Sequence, residues 1–204
     1  FTNCRRWIRR PDRMLVDPFG VVSARANMHP GYESPDVVGP SGPIDPDLSL
    51  CSVQTRAGRP LALLANFSMH YFGATPLSAD YFGKFAEGVG RKIGAGDADA
   101  FVGIMSQGTS GDSHWMDYSR PKTDLTAERY ADGLMQLAAS AYAKIEHRDT
   151  VPLAMAEARL TLGRRLADEA FLSHIVLMAE RPHGAPAGLE DDRTFGIVAI
   201  LGMP

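Results

Sequence analysis

Two segments of this chain begin as runs of apolar β-formers and stop abruptly in small and polar residues capable of chemistry. Leu61-Ala-Leu-Leu-Ala-Asn-Phe67 runs into Ser68-Met69-His70, and Ala100-Phe-Val-Gly-Ile-Met105 runs into Ser106-Gln-Gly-Thr-Ser-Gly-Asp112. Short apolar runs bounded by turn residues read as buried strands. The stretch between them, 79–94, reads as a helix, and strand, helix, strand is a βαβ unit whose two strands are parallel neighbours. That puts His70 and the Gly111-Asp112 pair at one sheet edge. Open α/β sheets bind ligands beyond the carboxyl ends of their strands, so this edge is the place to look for a site.

The flanking sequence extends the same α/β reading. Leu48 to Thr55 alternates apolar and polar residues, and Arg56-Ala-Gly-Arg59-Pro60 is a turn into the strand at 61, so these two strands pair antiparallel and the sheet is mixed. Thr126 to Glu146 has helical apolar spacing, with Asp124 and Thr126 as starters. Val151 to Leu162 alternates as a further strand, Asp168 to Glu180 reads as a further helix, and 181–194 as a polar loop. Residues 1–47 are punctuated by Asp17-Pro-Phe-Gly20, Met28-His-Pro-Gly31 and Gly39-Pro-Ser-Gly-Pro-Ile-Asp-Pro46, which forbid long helices. They read as an irregular segment wrapped on the core through Trp7, Phe19 and Tyr32, with a disordered linker as the alternative. The 204 residues then form part of one domain, 1–47 wrapping a 48–204 α/β core that is incomplete at its carboxyl end. An opening on Phe1 and a close on the strand-like 197–204 run point to a piece of a longer protein.

Composition narrows the partners. A net charge of −3, 22% charged residues and no block of like charge argue against nucleic acid or an anionic membrane as the main partner, and the Arg5, Arg6, Arg9, Arg10 cluster is too small to reverse this. No apolar stretch reaches the roughly 18–20 residues of a membrane span. Cys4 and Cys51 lie far apart without a CxxC spacing, so they read as buried or half-buried thiols, not a disulfide framework or a cysteine zinc site.

Chemistry concentrates in a few places. His70 closes a strand beside Tyr71 and Phe72; alone, it suits a core hydrogen bonder as well as a metal ligand. The 106–115 loop gathers hydroxyls, Gly108, Gly111, Asp112 and His114. Its glycines let backbone amides approach an oxyanion, and Ser110 or Ser113 is a nucleophile if a base or metal activates it. The plain reading is an Asx or Ser/Thr turn, against which Trp115, Met116 and Tyr118 offer an apolar wall. Asp80 is placed to cap the 81–94 helix, His29 reads as a turn residue, and His114 as a base or an exposed neighbour. Arg5 and Arg6 have the guanidinium fork that grips a carboxylate.

Taken in order, Cys4-Arg-Arg-Trp7, Met28-His-Pro-Gly31, Gly42-Pro-Ile-Asp-Pro46, Asn66-Phe-Ser-Met-His70, Leu77-Ser-Ala-Asp-Tyr-Phe-Gly83 and Ser106-Gln-Gly-Thr-Ser-Gly-Asp112 resemble the amino-terminal catalytic domain of the neutral/alkaline, non-lysosomal ceramidases, in an uncharacterised bacterial branch. The similarity spans about residues 1 to 145 and rests on the ordered set of motifs. It implies a zinc-dependent hydrolase of an N-acyl, ceramide-like amide bond with a small-molecule or lipid amide as substrate. His70 takes the position of a zinc ligand; Ser78-Ala-Asp80 with Gly83 loosely matches a Ser-Asp-x-x-Gly element near the site. Gly111-Asp112 matches the start of a Gly-Asp-Val-Ser-Pro-Asn motif.

The chain departs from that pattern where the chemistry is decided. The family's nucleophilic serine lies two residues after the aspartate, and that position is His114; Ser113 is one residue short and Ser110 precedes the aspartate. Attack by a metal-activated water is then as consistent with the sequence as attack by serine. The family's further zinc ligands, a histidine upstream and a glutamate and tyrosine downstream, have no counterpart before Asn3 or after Leu160. One histidine does not make a zinc shell, so the 204-residue chain alone is expected to bind zinc weakly or not at all and to be inactive, in contrast to a longer parent. The reading from another class is a non-catalytic module holding a lipid or carbohydrate in the same cleft.

Overall fold

In the computed structural model of this chain, which describes residues 2–16, 22–73, 75–96 and 101–163 and the single positions 169 and 172, the amino-terminal segment is built of short strands, not irregular as its Pro/Gly content suggests. β1 (Asn3–Cys4) and β2 (Arg6–Arg9) lead through a 3-10 turn at Pro11–Arg13 to β3 (Leu15–Val16), β4 (Val22–Ala24), β5 (Ala26–Met28) and β6 (Val37–Pro40). β2 is the centre of an antiparallel sheet in the order β5-β2-β6, and β3 and β4 pair as a ribbon. Proline has no N–H to give a ladder, and Pro11, Pro30 and Pro35 lie just outside these strands. The punctuation therefore shortens the strands without abolishing them. Two of the predicted anchors meet the same ring: Trp7 and Tyr32 pack edge-on to Tyr118 with centroids 6.3 and 5.3 Å away. Phe19 lies outside the described residues.

The central sheet follows the sequence reading. β7 (Leu48–Gln54) and β8 (Pro60–Phe67) pair antiparallel through a turn closed by the Thr55 amide donating to the Arg59 carbonyl at 2.9 Å, with Gly58 at φ +81°. α1 (Asp80–Lys92) carries the chain over to β9 (Val102–Gln107), which lies parallel to β8 from Ala62↔Val102 to Phe67↔Gln107. β10 (Ser113–His114) returns to pair with β1, Asn3 opposite His114 and Cys4 opposite Ser113. α2 (Ala127–Tyr142) begins at Thr126, whose side-chain oxygen accepts from the Arg129 amide at 3.3 Å. The fold is thus a mixed α/β arrangement.

Period-two alternation in the strands and 3.6-residue spacing in the helices decide what is buried. Leu63, Ala65 and Phe67 of β8 and Met105 of β9 meet Tyr81, Phe85 and Val89 of α1 and Tyr130, Leu134 and Ala138 of α2 in one core. Lys84 to Glu128 and Lys92 to Asp132, each 2.7 Å, tie the exposed sides of the two helices. Cys51, Leu64 and Ile104 form a row on the other sheet face and are exposed; Cys51 is therefore not the half-buried thiol the sequence suggests. Among the described residues no helix is long and apolar enough to cross a membrane.

The chain divides into two units, Phe1–Val151 and Pro152–Pro204. The strand expected over Val151 to Leu162 is not formed: 151–163 contain neither strand nor helix, and an alternating pattern makes a strand only where a neighbour takes its backbone hydrogen bonds. The helix expected at Asp168 to Glu180 and the loop at 181–194 lie outside the described residues, positions 169 and 172 apart.

Close packing of α1 on β9 depends on Gly103, where a Cβ would run into the Ala86 carbonyl and the Val89 side chain. Gly103→Ala is expected to destabilise the protein by about 1–3 kcal/mol through overpacking against backbone, read from the urea unfolding midpoint. Gly111→Ala, where nothing stands within 4 Å, is the control and leaves the midpoint unchanged. Equal effects of the two would contradict the packing.

Candidate functional site

β8 and β9 end side by side, and backbone bonds hold the segments that follow them together. The Gly108 amide donates to the Phe67 carbonyl at 3.0 Å, the His70 amide to the Ser113 carbonyl at 3.1 Å, and Ser113 Oγ to the Ser68 carbonyl at 2.6 Å. The turn carrying Asp112 also receives the amino-terminal segment: the Arg5 amide donates to the Asp112 carbonyl at 2.7 Å. One edge thus gathers Arg5, His70, the 108–114 loop and His114.

His70 is half-buried, its ring packs on Tyr71 with centroids 4.4 Å apart, and it makes no side-chain hydrogen bond among the described residues. His114 is 2% exposed and His29, which the sequence offers only as a turn residue, stands beside it with ring centroids 5.2 Å apart. Tyr118 joins them: its Oη lies 2.6 Å from His29 Nδ1 and 3.3 Å from His114 Nε2. Arg5 Nε donates to His29 Nε2 at 3.1 Å. Burial, and then the nearby Arg5 and His70, lower the His29 imidazole below its usual range. Burial pushes the His114 imidazole down to about 4 against the pull of its own main chain, with His29, Arg5 and His70 adding to the effect. Burial raises the Tyr118 hydroxyl to about 12. At neutral pH the cluster is two uncharged imidazoles and an un-ionised phenol beside a guanidinium.

Several candidates have other work. Ser113 is 1% exposed with its hydroxyl spent on Ser68, so it is no nucleophile. The Gly108 amide is likewise spent on Phe67, and its Cα sits against Ser68 and Asn66, where a Cβ would clash; glycine is there for close approach, not for an oxyanion. Gly111 and the Asp112 side chain are exposed, and Asp112 enters the site through its carbonyl. Ser110 is half-buried, its carbonyl accepts from the Ser113 amide, and its hydroxyl has no base bonded to it among the described residues. Arg6 is exposed on β2. His114, rather than an exposed neighbour, is the buried centre of the cluster.

Asp80 starts α1 from its first helical position instead of capping it; Ala79 is the cap. At φ +50° its carboxylate accepts from the amides of Phe72 (2.8 Å), Gly73 (3.2 Å) and Tyr81 (2.6 Å), which pins the 70–73 segment to the helix. A hollow of about 710 Å³ opens there between Tyr71, Pro76, Leu77 and Asp80, one ring away from His70. Trp115 supplies the expected apolar wall, stacked on Phe72 at 4.6 Å with its indole N–H on the Phe72 carbonyl at 3.0 Å.

A zinc site is not complete here. Among the described residues no three His, Cys, Asp or Glu side chains stand together so as to hold a metal ion. His29 has both ring nitrogens bonded and His114 has Nε2 bonded, whereas neither nitrogen of the His70 ring is hydrogen-bonded among the described residues. The described residues supply one fitting ligand, not a shell. Neither protein-family models, nor curated proteins, nor solved structures gave a match to this chain.

His114 makes folding depend on pH. Its imidazole takes a proton more readily in the unfolded chain than when buried, so unfolding is favoured as pH falls through 6.5 towards 4. This residue is expected to remove roughly 3 kcal/mol of stability between pH 7 and pH 4, and His114→Gln to flatten that part of the profile in urea titrations across the range. An unchanged slope in the variant would contradict a buried, neutral His114.

Proposed function

We propose that this chain forms the His70 side of the active site of a hydrolase that cleaves N-acyl, ceramide-like amides, with zinc as its cofactor. The observation that carries the reading is the half-buried His70 ring, without a side-chain hydrogen bond among the described residues, at the carboxyl ends of parallel β8 and β9. His70 would hold the metal together with ligands from outside the described residues, and zinc when bound supplies a polarised carbonyl and an acidified water. The Arg5 guanidinium has no carboxylate within ion-pair distance among the described residues, and its Nη groups are available to the oxygen of an acyl group. The hollow beside Tyr71, Pro76 and Leu77 offers apolar wall to the rest of the substrate. With Ser113 committed and Ser110 lacking a base among the described residues, water is the nucleophile that this arrangement favours.

One observation favours the second reading, a lipid- or carbohydrate-binding module: the position that resembles the family's nucleophile is occupied by the buried His114. The test is fatty-acid release from a panel of N-acyl substrates by the full polypeptide carrying these residues, with zinc and with His70→Ala. Zinc-dependent release that falls roughly a hundredfold or more in the variant, together with lost zinc, is expected. Undiminished turnover in His70→Ala, or saturable binding with no turnover of any N-acyl amide, would overturn the hydrolase reading.

A further inference from the structure

The hydrogen bonds around Tyr118 have a direction, and Arg5 sets it. A guanidinium nitrogen only donates, so His29 Nε2, 3.1 Å from Arg5 Nε, is an acceptor. A neutral imidazole accepting at Nε2 carries its proton on Nδ1, and His29 Nδ1 is 2.6 Å from Tyr118 Oη. His29 therefore donates to the tyrosine. The single hydroxyl proton of Tyr118 faces His114 Nε2 at 3.3 Å and the Met116 sulfur at 3.5 Å. Imidazole nitrogen is the stronger acceptor and thioether sulfur a weak one, so the proton goes to His114 Nε2. That leaves the His114 proton on Nδ1, a buried atom with no hydrogen-bond partner among the described residues.

We infer that Arg5, His29, Tyr118 and His114 form a one-way hydrogen-bond relay, in which His29 is a positioning residue that holds the Arg5 guanidinium by Nε and leaves both Nη groups without a hydrogen bond among the described residues, and His114 is locked as its Nδ1–H tautomer. The part of this that concerns a ligand rests on the site reading above; the relay itself does not. Anchoring Nε removes freedom from a long side chain without consuming the two Nη groups that form a bidentate fork. The same relay fills the accepting nitrogen of His114, so His114 neither takes a proton from a nucleophile nor replaces the missing serine. His70, whose ring lies outside the relay, is left as the ring that meets the ligand or the metal.

Histidine-ring ¹⁵N–¹H correlation spectra of the 204-residue chain at pH 7.5 test this without any turnover. Both His29 and His114 are expected as Nδ1–H tautomers, and the Arg5 Nε–H as a protected, downfield signal. His29→Gln, whose side-chain oxygen still accepts, keeps that arginine signal; His29→Leu loses it while the remaining spectrum shows a folded protein. An Nε2–H tautomer at either ring, or an Arg5 Nε–H signal indifferent to His29→Leu, would overturn the relay. Loss of hydrolase activity as a hypothesis would leave these spectra unchanged, so the two failures are distinguishable.

Discussion

The parallel pairing of β8 with β9 is the constraint on which the rest of the structure depends. Parallel neighbours cannot be joined by a tight turn, so α1 must cross over between them, and its buried face then fills the same core as α2. Because both strands point the same way, both release their chains at one edge. The ladder runs one bond past the strands, from the Gly108 amide to the Phe67 carbonyl, and the His70–Ser113 bond continues it into the loops. His70 and His114 come together for this reason, although 44 positions in the sequence separate them.

A second set of contacts brings the amino-terminal segment to the same edge. β1 pairs with β10, Ser68 Oγ donates to Asp45 at 2.9 Å, and Trp7, Tyr32 and His29 surround Tyr118. A buried polar group costs free energy when it has no partner, and most of those at this edge are bonded to a residue from a distant part of the chain. Its polar groups are therefore arranged by the fold as a whole. The cost falls on the Tyr32 hydroxyl and on His114, which burial keeps uncharged and whose Nδ1 has no hydrogen-bond partner among the described residues.

What the sequence made readable follows from the range of the interactions. β7, β8, β9, α1 and α2 announce themselves by local periodicity, and the Asp80 and Thr126 helix starts by short-range chemistry, with Asp80 displaced by one position from the cap. β1 to β6 are two to four residues long, too short for a period to register, and exist because of partners elsewhere. The alternation at 151–162 had the pattern without the partner. In the site, His70 and the β9 loop were legible as strand ends. The pairing of His29 with Tyr118 has no signature in the sequence, since 89 positions separate them and the Met28-His-Pro-Gly31 turn that holds His29 does not point to Tyr118. The commitments of Ser113 and the Gly108 amide are likewise invisible before the backbone is placed, which is why residues suited by type to catalysis turn out to be holding the loop.

The most direct measurement of the shared edge is a nuclear Overhauser spectrum of the labelled chain across its two loops. Contacts from the His70 amide proton to Ser113 and to the His114 amide, together with one from the Gly108 amide to Phe67, are the expected result. Their absence in a folded protein, with His70 instead showing contacts to the opposite end of β8 near Pro60, would separate the imidazole from the loop and contradict the account.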